Sequence, residues 1–449
     1  MSEPITATLT EEFQSLSLHH EYLIFKPIGD HEWIEETFDE VPPYLIRVFT
    51  PKSAGFTDHS WVKSRDARSG SRWSNVDIFG RQKTVAAAMV NCHLRWWEND
   101  SVNLVSWTDS WLFALQYIFY LHKNAKDASS LDDIKICIID TRLFPKGCFI
   151  RDMDLITAFE QHHDSTGKNL RALRQLRRNR STRHSGSYYF GEYLSQGALN
   201  IEDKCHIVSG KEVLEHGLLT IQPAFRTYES WPVMERTPWV EEVLKLREAF
   251  YIRSPNTEQP ATTDEVEAAV NIAKLFAAPF RLAVASGLIG LLPRQADDAT
   301  IQRLFISSFT GWSLLSPREI RELRSLDDEK ECCASFERMR VYDTLPETRQ
   351  ARAIMKLVND GFCKAKIRQL AGQWIPLKIA LINSETNNGI VNIKKADDHL
   401  KRLSTSVKVE DAIYARNMQG TLRHHESAAI LSHLDNIIAN ASLMRNIWK

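Results

Sequence analysis

An α+β fold followed by an all-helical module is what this sequence predicts, and three observations predict it. Before about residue 230 the chain carries short segments rich in β-branched and aromatic residues, each bounded by Pro, Gly, Asp or Ser. Capped segments with helical spacing stand between some of them. Beyond a polar linker the apolar spacing is helical to the end. The boundaries read as a polar extension at 1–39, an α+β domain at 40–230, a linker at 231–263 and a helical domain at 264–449.

Taken in order, the predicted strands are YLIRVFT (44–50), NLVSW (103–107), IKICIIDT (134–141), SYYFGEYL (187–194), KCHIVS (204–209) and GLLTIQPAF (217–225). The second runs into a hydroxyl-rich turn, Ser106 to Ser110, that opens an amphipathic helix carrying Ala114, Leu115, Ile118 and Leu121. Asp109 and Ser110 both suit its N-cap. DMDLITAFEQHH reads as a capped, amphipathic helix from Asp152, and KEVLEHG (211–217) as one or two helical turns ended by Gly217. After SPNTEQPATT (254–263), Thr262 and Glu265 form a capping box, and Ser316, Pro317 and Glu319 repeat that logic. ETRQARAIMKLVNDGF, CKAKIRQLAGQWI and ESAAILSHLDNIIANASLM continue the helical spacing. The most apolar window, 276–293, is broken by Pro279 and Arg281 and reads as a core helix, too short to span a membrane.

Composition excludes some function classes. The 449 residues carry 56 basic and 57 acidic side chains, net -1, so no global field attracts nucleic acid or an anionic membrane. Any such partner needs a local patch. One lies at 165–183, where STGKNLRALRQLRRNRSTR holds Lys168, Arg171, Arg174, Arg177, Arg178, Arg180 and Arg183 and no acid. It reads either as a solvated helix or loop between strands or as a phosphate or nucleic-acid contact. The acidic, polar N-terminus does not support a secretory signal, which places the chain inside the cell, in cytoplasm or nucleus. Its seven cysteines form no CxxC pair, Cys137 reads as a buried small hydrophobe, and the paired histidines (19 and 20, 162 and 163, 424 and 425) lack metal-ligand spacing.

Single polar residues mostly have structural readings. His93, beside Arg95, Trp96 and Trp97, reads first as a packed, hydrogen-bonded histidine on an aromatic strand and second as a residue lining a pocket. His122 suits the C-terminal dipole of its helix, and Asp140 with Thr141 suits a turn.

Three sites taken together say more. Arg47 lies on an early strand, Ser106 and Thr108 close a second strand before a helix, and Glu192 in FGEYLSQG is followed by Leu194 and Gly197. This order resembles the ADP-ribosyltransferase fold of the arginine-serine-glutamate type. Glu192, Leu194 and Gly197 match that family's glutamate pattern, and Ser106, Thr108, Ala114 and Tyr117 match its serine motif. More broadly, residues 42–225 resemble a family of uncharacterised fungal proteins, through RVFTPKSAG, SWTDSWLFALQYIFYLH and ICIIDTRLFPKG.

The resemblance implies a split antiparallel sheet and NAD as substrate, with Glu192 catalytic and Arg47, Ser106 and Thr108 binding NAD. It implies an unidentified protein or nucleic-acid acceptor, or water. The chemistry suits these residue types: a carboxylate stabilises the oxocarbenium-like transition state of nicotinamide release, and a guanidinium suits the pyrophosphate. Phe190 stands where arginine-modifying members carry a second acid, Trp107 replaces a small hydroxyl residue, and the gaps of 59 and 86 residues between the motifs are long. These departures keep a second expectation open: a transferase-like fold without catalysis that binds a partner, as in fungal self-recognition or defence.

Overall fold

A computed structural model describes residues 22–97, 102–162, 167–178, 188–249, 259–309, 345–358 and 361. The chain divides into two compact units, residues 1–313 with 340–355, and residues 314–339 with 356–449. All that follows concerns the first. The helical segments expected around Ser316 and from Cys363 onward lie outside the described residues.

The fold is α+β. Among the described residues, nine strands form one antiparallel sheet that curls into a half-barrel: β1 (Tyr22–Leu23), β2 (Tyr44–Phe49), β3 (Phe56–Thr57), β4 (Trp61–Lys63), β5 (Leu104–Thr108), β6 (Lys135–Asp140), β7 (Ile150–Arg151), β8 (Glu192–Asn200) and β9 (Cys205–Ser209). The order is β3-β4-β8-β5-β2-β6-β9, with β1 and β7 also paired to β8. Helices of eight residues or more include α1 (Lys83–Leu94), α2 (Trp111–Lys123), α3 (Asp152–Phe159), α4 (Leu170–Arg178), α5 (Val240–Arg247), α6 (Thr263–Lys274), α7 (Arg281–Ile289) and α8 (Ala299–Ser308), and residues 346–358 are helical as well. None of the described helices is long and apolar enough to cross a membrane.

β8 explains the curl. Its first half, Glu192 to Gln196, pairs with β5, and its second half, Ala198 to Asn200, pairs with β4. Between them Gly197 has φ +64°, and a Cβ there would stand 2.7 Å from the Ser74 carbonyl oxygen. A side chain is excluded both by sterics and by backbone conformation, so glycine sets the bend. This places the glycine of the Glu192, Leu194, Gly197 pattern at the turn of the barrel.

Alternation along β5 and β8 divides the core. Leu104 and Leu194 join α1, α3 and α4 in one apolar cluster, whereas Val105, Trp107 and Tyr193 join Leu45, Cys137, Phe149 and Leu199 in another. Cys137 is buried as expected. Ser110 caps α2 by accepting from the Phe113 N–H at 3.2 Å, and Thr262 and Glu265 form the expected capping box on α6. The core helix in the 276–293 window is α7, preceded by a 3₁₀ turn at Pro279.

Several expectations are corrected. Residues 217–225 are not a strand: a wide turn, Leu214–Leu218, leads into helical turns at Leu219–Ile221 and Phe225–Glu229. The reason is legible in the buried set Leu218, Ile221, Phe225 and Tyr228, which recurs at three- and four-residue steps. Gly217 does end the first helical turns, as expected: at φ +112° its backbone is non-helical, the two helical segments meet there in a kink, and the backbone presses on Ala268 of α6. The strand expected at 187–194 runs from Glu192 to Asn200. Helix α3 has no side-chain cap, and burial of Asp152 to Ile156, Ala158 and Phe159 makes it a core helix rather than an amphipathic one. His93 sits on α1, not on a strand, because Ala86, Ala87, Val90 and Leu94 supply a buried helical stripe.

Candidate functional site

β2 and β5 are in register at Ile46 opposite Thr108. Arg47, the next residue, reaches across to β5: its Nη1 donates to the Ser106 carbonyl at 3.1 Å, and its Nε to Thr57 Oγ1 at 3.1 Å. On β5, the Ser106 hydroxyl donates to Glu192 Oε1 at 2.7 Å. Arg47, Ser106 and Glu192, far apart in sequence, therefore meet at one place, as the antiparallel pairing of β8 with β5 requires.

Two further residues complete the cluster. His93 Nε2 lies 2.9 Å from Ser106 Oγ. Arg177 Nη2 donates to Glu192 Oε2 at 2.7 Å, and its Nε faces Asp152 Oδ2 at 3.2 Å. Burial lowers the His93 pKa to about 4, the Glu192 charge opposing this and Arg47 adding to it. Burial raises Asp152 to about 7, held back by Arg177 and pushed further by Glu192. Buried charges of this kind require partners, and each carboxylate here has one.

Arg177 corrects the expected basic patch. It is 4% exposed and points inward with Leu170 and Leu173, because helical spacing places all three on one face of α4. Arg174 pairs with Glu160 at 2.7 Å, and Lys168 lines the cleft. Arg171 is exposed, while Arg180 and Arg183 lie outside the described residues. The described part of the run, Leu170–Arg178, is a packed helix that contributes the Arg177 cation to the site.

Thr108 holds the turn before Glu192. Its hydroxyl donates to the Phe190 carbonyl at 2.7 Å and accepts from the Ser110 N–H at 3.0 Å. Gly191, at φ +62°, completes that turn: a Cβ would stand 1.8 Å from Asp109 Oδ1. Burial raises Asp109 to about 6, countered mainly by Arg352.

Arg47, His93, Ser106, Thr108, Arg177 and Glu192 line a cleft of about 680 Å³, within the range of small-molecule sites. One wall is aromatic. Phe113 and Tyr117, one turn apart on α2, have rings 4° from parallel; Trp96 stacks on Trp239 at 4.2 Å, and Phe190 stacks on Phe113 at 5.2 Å. Lys52, Arg65, Arg95 and Lys168 line the cleft beside Arg47 and Arg177, against the acids Asp127 and Glu192. A planar, anionic ligand fits that lining.

The structure brings Arg47, Ser106 and Glu192 together. Arg177, expected only as one cation of the basic run, joins them, His93 was expected among packed residues, and Trp239 was not singled out. The aromatic wall had a signal, since Phe113, Tyr117 and Tyr120 recur at helical spacing; Arg177 had one in its helical spacing from Leu170 and Leu173, whereas Trp239 reaches the cleft with no local pattern to announce it.

Residues 40–202 match the model of a domain of unknown function, DUF7587. The match spans β2 to β8 and so includes Arg47, His93, Ser106, Thr108, Arg177 and Glu192. No curated protein and no solved structure matches the chain.

Proposed function

We propose that the cleft binds NAD and transfers ADP-ribose to an acceptor or to water. The observation that carries this reading is the 2.7 Å hydrogen bond from Ser106 to Glu192 beside Arg47, in a cleft lined by cations and stacked aromatic rings. The bond between the nicotinamide nitrogen and the ribose anomeric carbon breaks heterolytically, and nicotinamide leaves with the bonding electrons. The Glu192 carboxylate stabilises the resulting positive charge on the ribose. An acceptor oxygen or nitrogen then bonds to the anomeric carbon and gives up its proton. Arg47 holds the pyrophosphate or the adjoining ribose, Ser106 orients Glu192, and Thr108 supports the turn that presents it. The aromatic wall stacks the planar ends of the dinucleotide. Phe190, 7% exposed and stacked on Phe113, offers no second carboxylate for a guanidine acceptor.

The test is release of nicotinamide from NAD by the full chain and by Glu192→Gln, with cell lysate as a source of acceptors. Loss of one preorganised electrostatic contact at a transition state lowers kcat by about 10² to 10³, and that is the fall expected. Equal release by both proteins would end this reading.

One observation favours a second reading, a binding module without turnover. Glu192 Oε2 already accepts from Arg177, so both carboxylate oxygens have protein donors. That reading predicts a rise in melting temperature with NAD or another nucleotide and no nicotinamide release.

A further inference from the structure

We propose that His93 is a positioning residue for Glu192, acting through Ser106 as an imidazole that carries its proton on Nε2. The catalytic side of this inference rests on the reading of Glu192 given above; the hydrogen-bond assignment does not.

The assignment follows from counting protons. A serine hydroxyl has one proton to donate. Glu192 receives Arg177 on Oε2, and a carboxylate facing a guanidinium at 2.7 Å is ionised and accepts on both oxygens. The Ser106 proton therefore goes to Glu192 Oε1. His93 Nε2, 2.9 Å from the same Oγ, must bring a proton of its own. Burial holds the imidazole neutral at pH 7, so only one ring nitrogen carries hydrogen, and Nδ1 is left bare.

The consequence is directional. With His93 donating, Ser106 cannot turn its hydroxyl toward the ring and has Glu192 as its partner. Glu192 is thus clamped at both oxygens, by α4 through Arg177 and by α1 through His93 and Ser106. His93 itself is set by its helix, where Val90 and Leu94 are buried. The charged groups that bear on it are Glu192 and Arg47.

Nitrogen-15 NMR of the histidine-labelled full chain at pH 7 tests the assignment. His93 should give the signature of a neutral ring protonated on Nε2, and Ser106→Ala should shift it. A charged ring, a proton on Nδ1, or no response to Ser106→Ala would overturn the proposal. Kinetics test the positioning. His93→Gln, whose amide N–H can donate to Oγ, should keep kcat within about threefold, whereas His93→Leu should lose about tenfold to a hundredfold with KM nearly unchanged, the scale of a misplaced reacting group. Turnover by His93→Leu equal to wild type, or an equal loss in both variants, would refute it. Absence of nicotinamide release from wild type would instead remove the NAD reading, and the NMR result would still decide the assignment.

Discussion

The two faces of the β5 and β8 pair use the same ten or so residues of backbone for opposite ends. On one face Val105, Trp107 and Tyr193 pack with Leu45, Phe149 and Leu199, and Trp107 is 2% exposed with its ring edge-on to Phe149 at 5.9 Å. Its polar need is a single bond, from Nε1 to Ser195 Oγ at 2.9 Å. On the other face Leu104 and Leu194 pack with α1, α3 and α4, and beside them Ser106 and Glu192 meet His93, Arg177 and Asp152, where position is set by hydrogen bonds and ion pairs. Packing tolerates small adjustments, whereas a buried polar network demands that every member keep its partner. The first face holds the sheet together; the second holds a carboxylate in one orientation.

The largest effect should come from the apolar face. Trp107→Ala removes a fully buried ring and is expected to lower stability by about 3 to 5 kcal/mol in denaturant unfolding. On the polar face, Arg177→Leu leaves two buried carboxylates without their cation and should cost about 3 kcal/mol. Adding Asp152→Asn and Glu192→Gln to it should restore part of that loss; a triple variant no more stable than Arg177→Leu would show that the ion pairs are not what organises this face.

A pH titration sharpens the contrast. The native His93 pKa of about 4 lies below the 6.5 of an exposed histidine. Between these values the unfolded chain takes up a proton that the folded chain refuses. Stability is therefore complete above pH 6.5 and falls as pH drops toward 4, by at most about 3 kcal/mol. The difference between wild type and His93→Gln isolates this contribution from the buried aspartates, whose raised pKa values act in the opposite direction. The smallest effect is expected at Thr108→Val, which leaves the Phe190 carbonyl and Ser110 N–H unpaired and should cost about 1 to 2 kcal/mol.

Much of the sheet was legible in the sequence because β2, β5, β6 and β9 are short, β-branched and sharply bounded. The site was legible in part for a different reason: Arg47, Ser106 and Glu192 stand on strands whose order the motifs carry. What escaped were residues placed by tertiary packing. Arg177 lies in a run so basic that a solvated face or an anion contact was the natural expectation, yet the leucines at 170 and 173 turn it inward. His93 was read as part of an aromatic strand because Trp96 and Trp97 follow it, while the alanines before it make the segment helical. Residues 217–225 misled through Gly217 and Pro223, which mask the helical spacing of the buried residues.

The bent strand β8 also sets a timetable for synthesis. It pairs with segments at residues 22–23, 61–63, 104–108 and 150–151, so four earlier pieces of the chain wait for one late piece. At translation rates of about 5 to 20 residues per second, β1 leaves the ribosome roughly 10 to 40 s before its partner exists. Until then the emerging strands carry open edges, and nascent chains stalled short of residue 192 should be held by chaperones or aggregate rather than populate a native half-sheet. Glu192 is the first residue of β8, so the carboxylate and the strand that pairs with these four segments arrive together.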